Sequence, residues 1–234
     1  MSASVALSFC LFLTTLVPLS PAAAQLGGSF TLSSEARLRG RPISEHKPVA
    51  AMDLQHDAAN GFYMGASAAL VAIRSGGIQP LYFTPYAGFA RRISSSATLD
   101  LGIVHSRYGE YSGISGGRSY TEAYIEVAGR NVSARLFVSP AYFRRNQPTF
   151  YAEANGNLDL GHDWLLFGHL GRLIYLRDRP GDSVGASDWR LGLRRQIGRV
   201  DVEVAWTGYV EARRFYGVPP RDGSAMVAAL SYSF

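Results

Sequence analysis

Period-two alternation, sustained through segments of about ten residues, constrains this chain more than any other feature. From Thr98 to Val104, Leu99, Leu101 and Ile103 point one way while Asp100 and Gly102 point the other, because successive side chains of a strand face opposite sides. Val200, Val202, Val204 and Trp206 likewise oppose Asp201, Glu203 and Ala205. Thr121, Ala123, Ile125 and Val127 oppose Tyr120, Glu122, Tyr124 and Glu126, and Trp189, Leu191 and Leu193 oppose Arg190, Gly192 and Arg194. The pattern predicts an all-β chain of about twelve strands, each near the ~9–11 residues that a tilted strand needs to cross a bilayer. They fall near residues 29–39, 49–56, 61–72, 81–90, 97–106, 119–129, 131–142, 149–158, 164–174, 188–196, 199–209 and 224–234. Beyond the N-terminus no run approaches the ~20 apolar residues of a membrane helix. With 47% apolar and 18% charged residues, the chain is too hydrophobic for disorder.

The connections alternate in length. Short ones at 57–61, 129–131 and 197–199 take turns with long ones at 107–118, 176–187 and 210–223. Outer-membrane barrels have short periplasmic turns and long external loops. A soluble β-sandwich shares the alternation but has no reason to produce this rhythm. Closure is required in lipid, since a barrel alone leaves no sheet edge unpaired. Aromatic residues near predicted strand ends, Phe62, Phe83, Tyr142, Phe150, Trp164, Trp189, Trp206 and Phe234, suit interfacial girdles.

Residues 1–24 read as a cleaved leader. Val5 to Leu19 is uncharged and apolar or small, and the run Pro21-Ala22-Ala23-Ala24 offers an Ala-x-Ala site before Gln25, although no Lys or Arg precedes it. Residues 25–234 then form the barrel. The single cysteine, Cys10, leaves with the leader, which excludes disulfides and thiolate chemistry from the mature chain. At the other end Leu230, Tyr232 and Phe234 alternate with Ser231 and Ser233, and the chain stops on an aromatic residue. This resembles the signal read by the bacterial barrel-assembly machinery.

Three strings carry a family resemblance: Leu38-Arg39-Gly40 followed by Pro42-Ile43-Ser44, Ser139-Pro140-Ala141-Tyr142-Phe143, and Asp188-Trp189-Arg190-Leu191-Gly192-Leu193. In order and spacing they resemble the TorF-type family of porins, from about Gly28 to Phe234. The resemblance implies an outer-membrane barrel acting as a channel, and it carries over no catalytic residues.

If the apolar face meets lipid, the other face lines the lumen. Parity places Glu35, Asp53, Asp100, Glu122, Glu126, Glu153, Asp201 and Glu203 inward, with Arg37, Arg39, Arg135, Arg190, Arg194 and His169. Strands five to eight carry most of the acids, and the tenth and first carry most of the bases, so an acidic wall is expected to face a basic one across a pore for small polar or charged solutes. The inward tyrosines Tyr63, Tyr82, Tyr86, Tyr120, Tyr124 and Tyr151 suit stacking or filling. Two barrels without a pore compete with this reading, one in which the charges satisfy one another in a packed interior and one that is adhesive. A lipid hydrolase competes less well: His105 and Ser106 face opposite sides, so they cannot act as base and nucleophile. The five histidines, His46, His56, His105, His162 and His169, have no metal-ligand spacing, and nothing implies a cofactor. Net charge is +5 with Lys47 the sole lysine. The arginines are dispersed through turns and loops, which suits anionic lipopolysaccharide rather than nucleic acid.

Overall fold

The computed structural model describes residues 4–7, 12–15, 25–74, 76–112, 114, 118–177, 183–213 and 221–234. Ser4–Leu7 and Phe12–Thr15 pair as a short sheet of their own. The expected cleavage run at Pro21 to Ala24 and parts of three long connections lie outside the described residues.

Twelve antiparallel strands close into one barrel. They are β1 Gln25–Ser33, β2 Val49–Asp57, β3 Phe62–Ile73, β4 Gly77–Arg92, β5 Thr98–Tyr108 and β6 Ser119–Ala128. They continue as β7 Val132–Ser139, β8 Thr149–Gly161, β9 Trp164–Tyr175, β10 Ser183–Ile197, β11 Val200–Arg213 and β12 Arg221–Ser233. Each strand pairs with its sequence neighbour, and β12 returns to β1 through a ladder running from Ala229 opposite Ser33 to Ser233 opposite Ser29. Both chain ends of the barrel therefore lie at one end, with the short turns. The long connections lie at the other, except that β3 and β4 are joined there by only Arg74 to Gly76.

Parity sorts the faces as the alternation requires. Outward positions such as Leu101, Ile103, Ile125, Val202, Val204 and Leu230 are exposed, while their polar neighbours Glu122, Glu126, Asp201 and Ser231 are buried. The barrel is thus apolar outside and polar within, the inverse of a soluble protein. Phe62, Trp164, Trp206 and Phe234 face outward, and Trp206 packs edge-on against Trp189.

Inside, aromatic rings lie across glycines of the paired strand. Tyr63 is registered with Gly88, Tyr86 with Gly65, Tyr124 with Gly102, and Phe167 with Gly192. A methyl group on any of these glycines would collide with the ring opposite. The absent side chain lets each ring lie flat against the wall.

Two expected strands end early. The first was expected over 29–39 and stops at Ser33, and the seventh was expected over 131–142 and stops at Ser139. After Ser33 the backbone changes partners: Ala36 N donates to Ser44 Oγ at 2.9 Å and Ile43 N to the Ala36 carbonyl at 2.9 Å. Residues 34–48 form a loop, L1, whose core is a hairpin pairing Arg37–Leu38 with Arg41–Pro42. Its two turn residues, Arg39 and Gly40, have φ of 48° and 73°, as a two-residue hairpin turn matched to strand twist requires. L1 folds into the barrel, burying Leu38, Ile43 and Ser44.

Candidate functional site: the barrel lumen

L1 crosses the lumen. Gly40 at its tip is pressed so closely on the β10–β11 wall that a Cβ there would strike Gly208 and Asp188. From the same tip the Arg39 side chain reaches the opposite wall, where Nη2 donates to Glu122 of β6 at 2.7 and 2.9 Å. The guanidinium stands 3.9 Å from the ring centre of Tyr151, 4.9 Å from Tyr142 and 5.9 Å from Phe137. Tyr142 belongs to the β7–β8 loop rather than to a strand. It is buried against Tyr120 and Phe143, so it roofs the lumen and is no part of an outer girdle.

Of the fourteen charged or histidine positions assigned inward from sequence, those on strands all face the lumen: Asp53, Asp100, Glu122, Glu126, Arg135, Glu153, His169, Arg190, Arg194, Asp201 and Glu203 are buried or half-buried. Glu35, Arg37 and Arg39 are also inside, but on L1. The arrangement is not an acidic wall facing a basic one. Arg39 is carried across to Glu122; Arg135 binds Glu126, with Nε donating at 2.9 Å, and lies 4.0 Å from Asp100; Arg190 and Arg194 both bind Glu203, the latter through Nη2 at 2.7 Å. Charges in a narrow interior of low dielectric are costly unless paired, and that cost brings acid and base together. Within L1, Glu35 holds both Arg37 and His46, and at its rim Arg41 lies 3.6 Å from Glu211.

Further networks fill the remaining space. Tyr63 donates to Asp100 at 2.7 Å and is bonded to Tyr124, while Tyr86 donates to Asp53 and to Gln55, each at 3.1 Å. His169 meets Asp188 through Nε2 at 2.9 Å and Asn155 through Nδ1 at 2.7 Å, and Tyr151 donates to Asp188 at 3.1 Å. Among the described residues, a cavity of about 50 Å³ beside L1 touches Glu35, Arg37, Arg39, His169, Asp188 and Arg190. That is room for a few waters. His105 faces outward and bonds to Thr121 at 2.8 Å, whereas Ser106 is fully buried inside near Thr84, so they make no catalytic pair.

Sequence reasoning missed Asp188, Asn155, Phe137 and Tyr142. Asp188 shares the parity of Arg190 on one strand, so its inward placement was readable; Tyr142 depends on the fold of a loop, which parity does not reach.

Several solved structures share this fold at low identity. The NanC porin is 8% identical, with a TM-score of 0.58 over 89% of this chain and 99% of that one. The KdgM porin is 12% identical, with a TM-score of 0.53 over the same shares. The COG4313 outer membrane channel from Pseudomonas putida F1 is 10% identical, with a TM-score of 0.50 over 92% and 97%. No curated protein matches the sequence. One family, described as "Bacterial protein of unknown function (Gcw_chp)", matches residues 19–223.

Proposed function

For a chain that belongs to the Gcw_chp family of bacterial proteins of unknown function, we propose an outer-membrane channel for small polar or charged solutes, described here with its lumen closed by L1. In this reading residues 1–24 direct secretion and are removed. The turn end faces the periplasm, and the loop end faces outward among lipopolysaccharide. Leu230, Tyr232 and Phe234 present the chain to the barrel-assembly machinery. The narrower resemblance to TorF-type porins belongs to the same proposal.

The observation that carries it is the origin of the obstruction. The strand walls enclose a charged, hydroxyl-rich interior, and among the described residues L1 spans it from Gly40 on one wall to Arg39 on the other. A wall lined with acids and bases suits selective passage, and a loop is a removable obstacle. The porins and the channel that share the fold support the reading.

The packed interior favours one competing account, a structural barrel through which nothing passes. Planar-bilayer recording with refolded protein separates the two. The channel reading expects conductance steps, with larger ones after replacement of residues 36–43 by a short glycine linker. A demonstrably folded barrel that stays silent with L1 shortened would leave the structural account standing.

A further inference from the structure

We propose that the pocket occupied by Arg39 is a binding site for a small organic cation with a guanidinium head, and that Arg39 is its tethered stand-in. The inference rests on the channel reading for the ligand's route into the lumen.

The pocket has the parts a guanidinium receptor needs. Glu122, 1% exposed, accepts from Nη2 at 2.7 and 2.9 Å. Tyr151, Tyr142 and Phe137 offer ring faces at 3.9 to 5.9 Å from the guanidinium carbon. A cation over aromatic faces is bound more strongly when desolvated, as here. The carboxylate and two of the three rings stand on strands β6, β7 and β8 of the wall, whereas the cation arrives on a loop. The receptor is therefore the rigid partner and its occupant the movable one.

Charge decides what can take the occupant's place. Asp100, Glu122, Glu126 and Glu153 all face inward on β5 to β8, and Arg39 and Arg135 are the arginines set against them. When L1 withdraws, Arg135 alone of these two remains. A buried carboxylate left without its cation is strongly unfavourable, so the exit of Arg39 is favoured by whatever brings a positive charge into the same cage. A neutral sugar does not meet that requirement, and an acidic one worsens the imbalance. The cage thus expects a solute opposite in charge to the oligogalacturonate with which the KdgM porin has been crystallised.

The test uses the full mature barrel, refolded in detergent, with agmatine as cation and galacturonate as acidic control, read by titration calorimetry. Arg39→Ala is expected to bind agmatine saturably. The wild-type protein should bind it at least about tenfold more weakly, because a tethered competitor acts at high effective concentration. Adding Glu122→Gln to Arg39→Ala should abolish binding, and adding Glu110→Gln, at an exposed carboxylate paired with Arg118 between β5 and β6, should leave it intact. If Arg39→Ala fails to fold, trypsin cleavage of the wild-type protein at Arg37 and Arg39 gives a second readout, and agmatine is expected to accelerate it. The proposal is overturned if folded Arg39→Ala ignores agmatine, prefers galacturonate or is indifferent to Glu122→Gln, or if cleavage of the wild-type loop does not respond. Neither readout uses conductance. A silent barrel that binds agmatine would sink the channel reading and keep the cage, and a conducting barrel without binding would do the reverse.

Discussion

A methyl group on Gly102 would stand 2.6 Å from the ring of Tyr124, and this small fact governs much of the interior. Glycine inside a strand ordinarily weakens it; here it is the slot in which a tyrosine lies flat, its hydroxyl delivered to Asp100 or a neighbouring tyrosine. Gly102→Ala is expected to cost about 1–3 kcal/mol, as overpacking does, lowering the unfolding midpoint in denaturant. Gly168→Ala, whose nearest neighbours would be 3.9 Å away, should be nearly silent in the same assay. Equal effects would mean that the ring yields and the slot is not structural. The inward face of Asp100, Glu122 and Glu203 was legible from parity alone, because a period of two leaves no other assignment. The slots were not, because they depend on register, and alternation within one strand says nothing about which residue stands opposite.

Among the elements, β5 and β11 behave as the alternation demands, and L1 does not. From Ser33 to Arg39 the sequence goes on alternating, with Glu35 and Arg37 in step, so alternation alone predicts a strand that continues. The backbone leaves the sheet because Ser44 and Ala36 give it local partners, and Arg39-Gly40 before Arg41-Pro42 is turn chemistry that the alternation masked. Parity still put these side chains in the lumen, but on the wrong element, and hence across from the partners they meet. The strands permit a direct check of face. Arginine at Leu101 or Val202, both exposed on the apolar side, is expected to destabilise the barrel by roughly 2–4 kcal/mol near the bilayer midplane. Asp100→Asn keeps an acceptor for Tyr63 and should be tolerated. Reversal of that order, read by denaturant titration in lipid vesicles, would turn the barrel inside out.

At the scale of the molecule, closure depends on a seam. The β12–β1 ladder is the shortest in the barrel, and its last link is Phe234, which exchanges backbone bonds with Gly28 at 3.0 and 3.1 Å and lays its ring where a Cβ of Gly28 would be. Deleting Phe234 is expected to reduce outer-membrane yield and heat-modifiable migration far more than Ser233→Ala does; equal behaviour would remove the terminal aromatic from both closure and assembly. The seam also sets a timetable for folding. Every other ladder joins consecutive strands and can form soon after its hairpin turn, but Thr31 and Ser231, bonded at 2.8 Å across the seam, are 200 residues apart in the chain. Contacts between such distant residues bear the greatest loop-closure entropy. The sheet is therefore expected to pass through an open, curled ribbon before it becomes a tube, and the ribbon's two free edges are β1, from which L1 departs, and β12, which Phe234 follows. Until those edges meet, the Arg39 tip has no lumen to cross, so sealing the wall and closing the passage are expected to fall together as a late event.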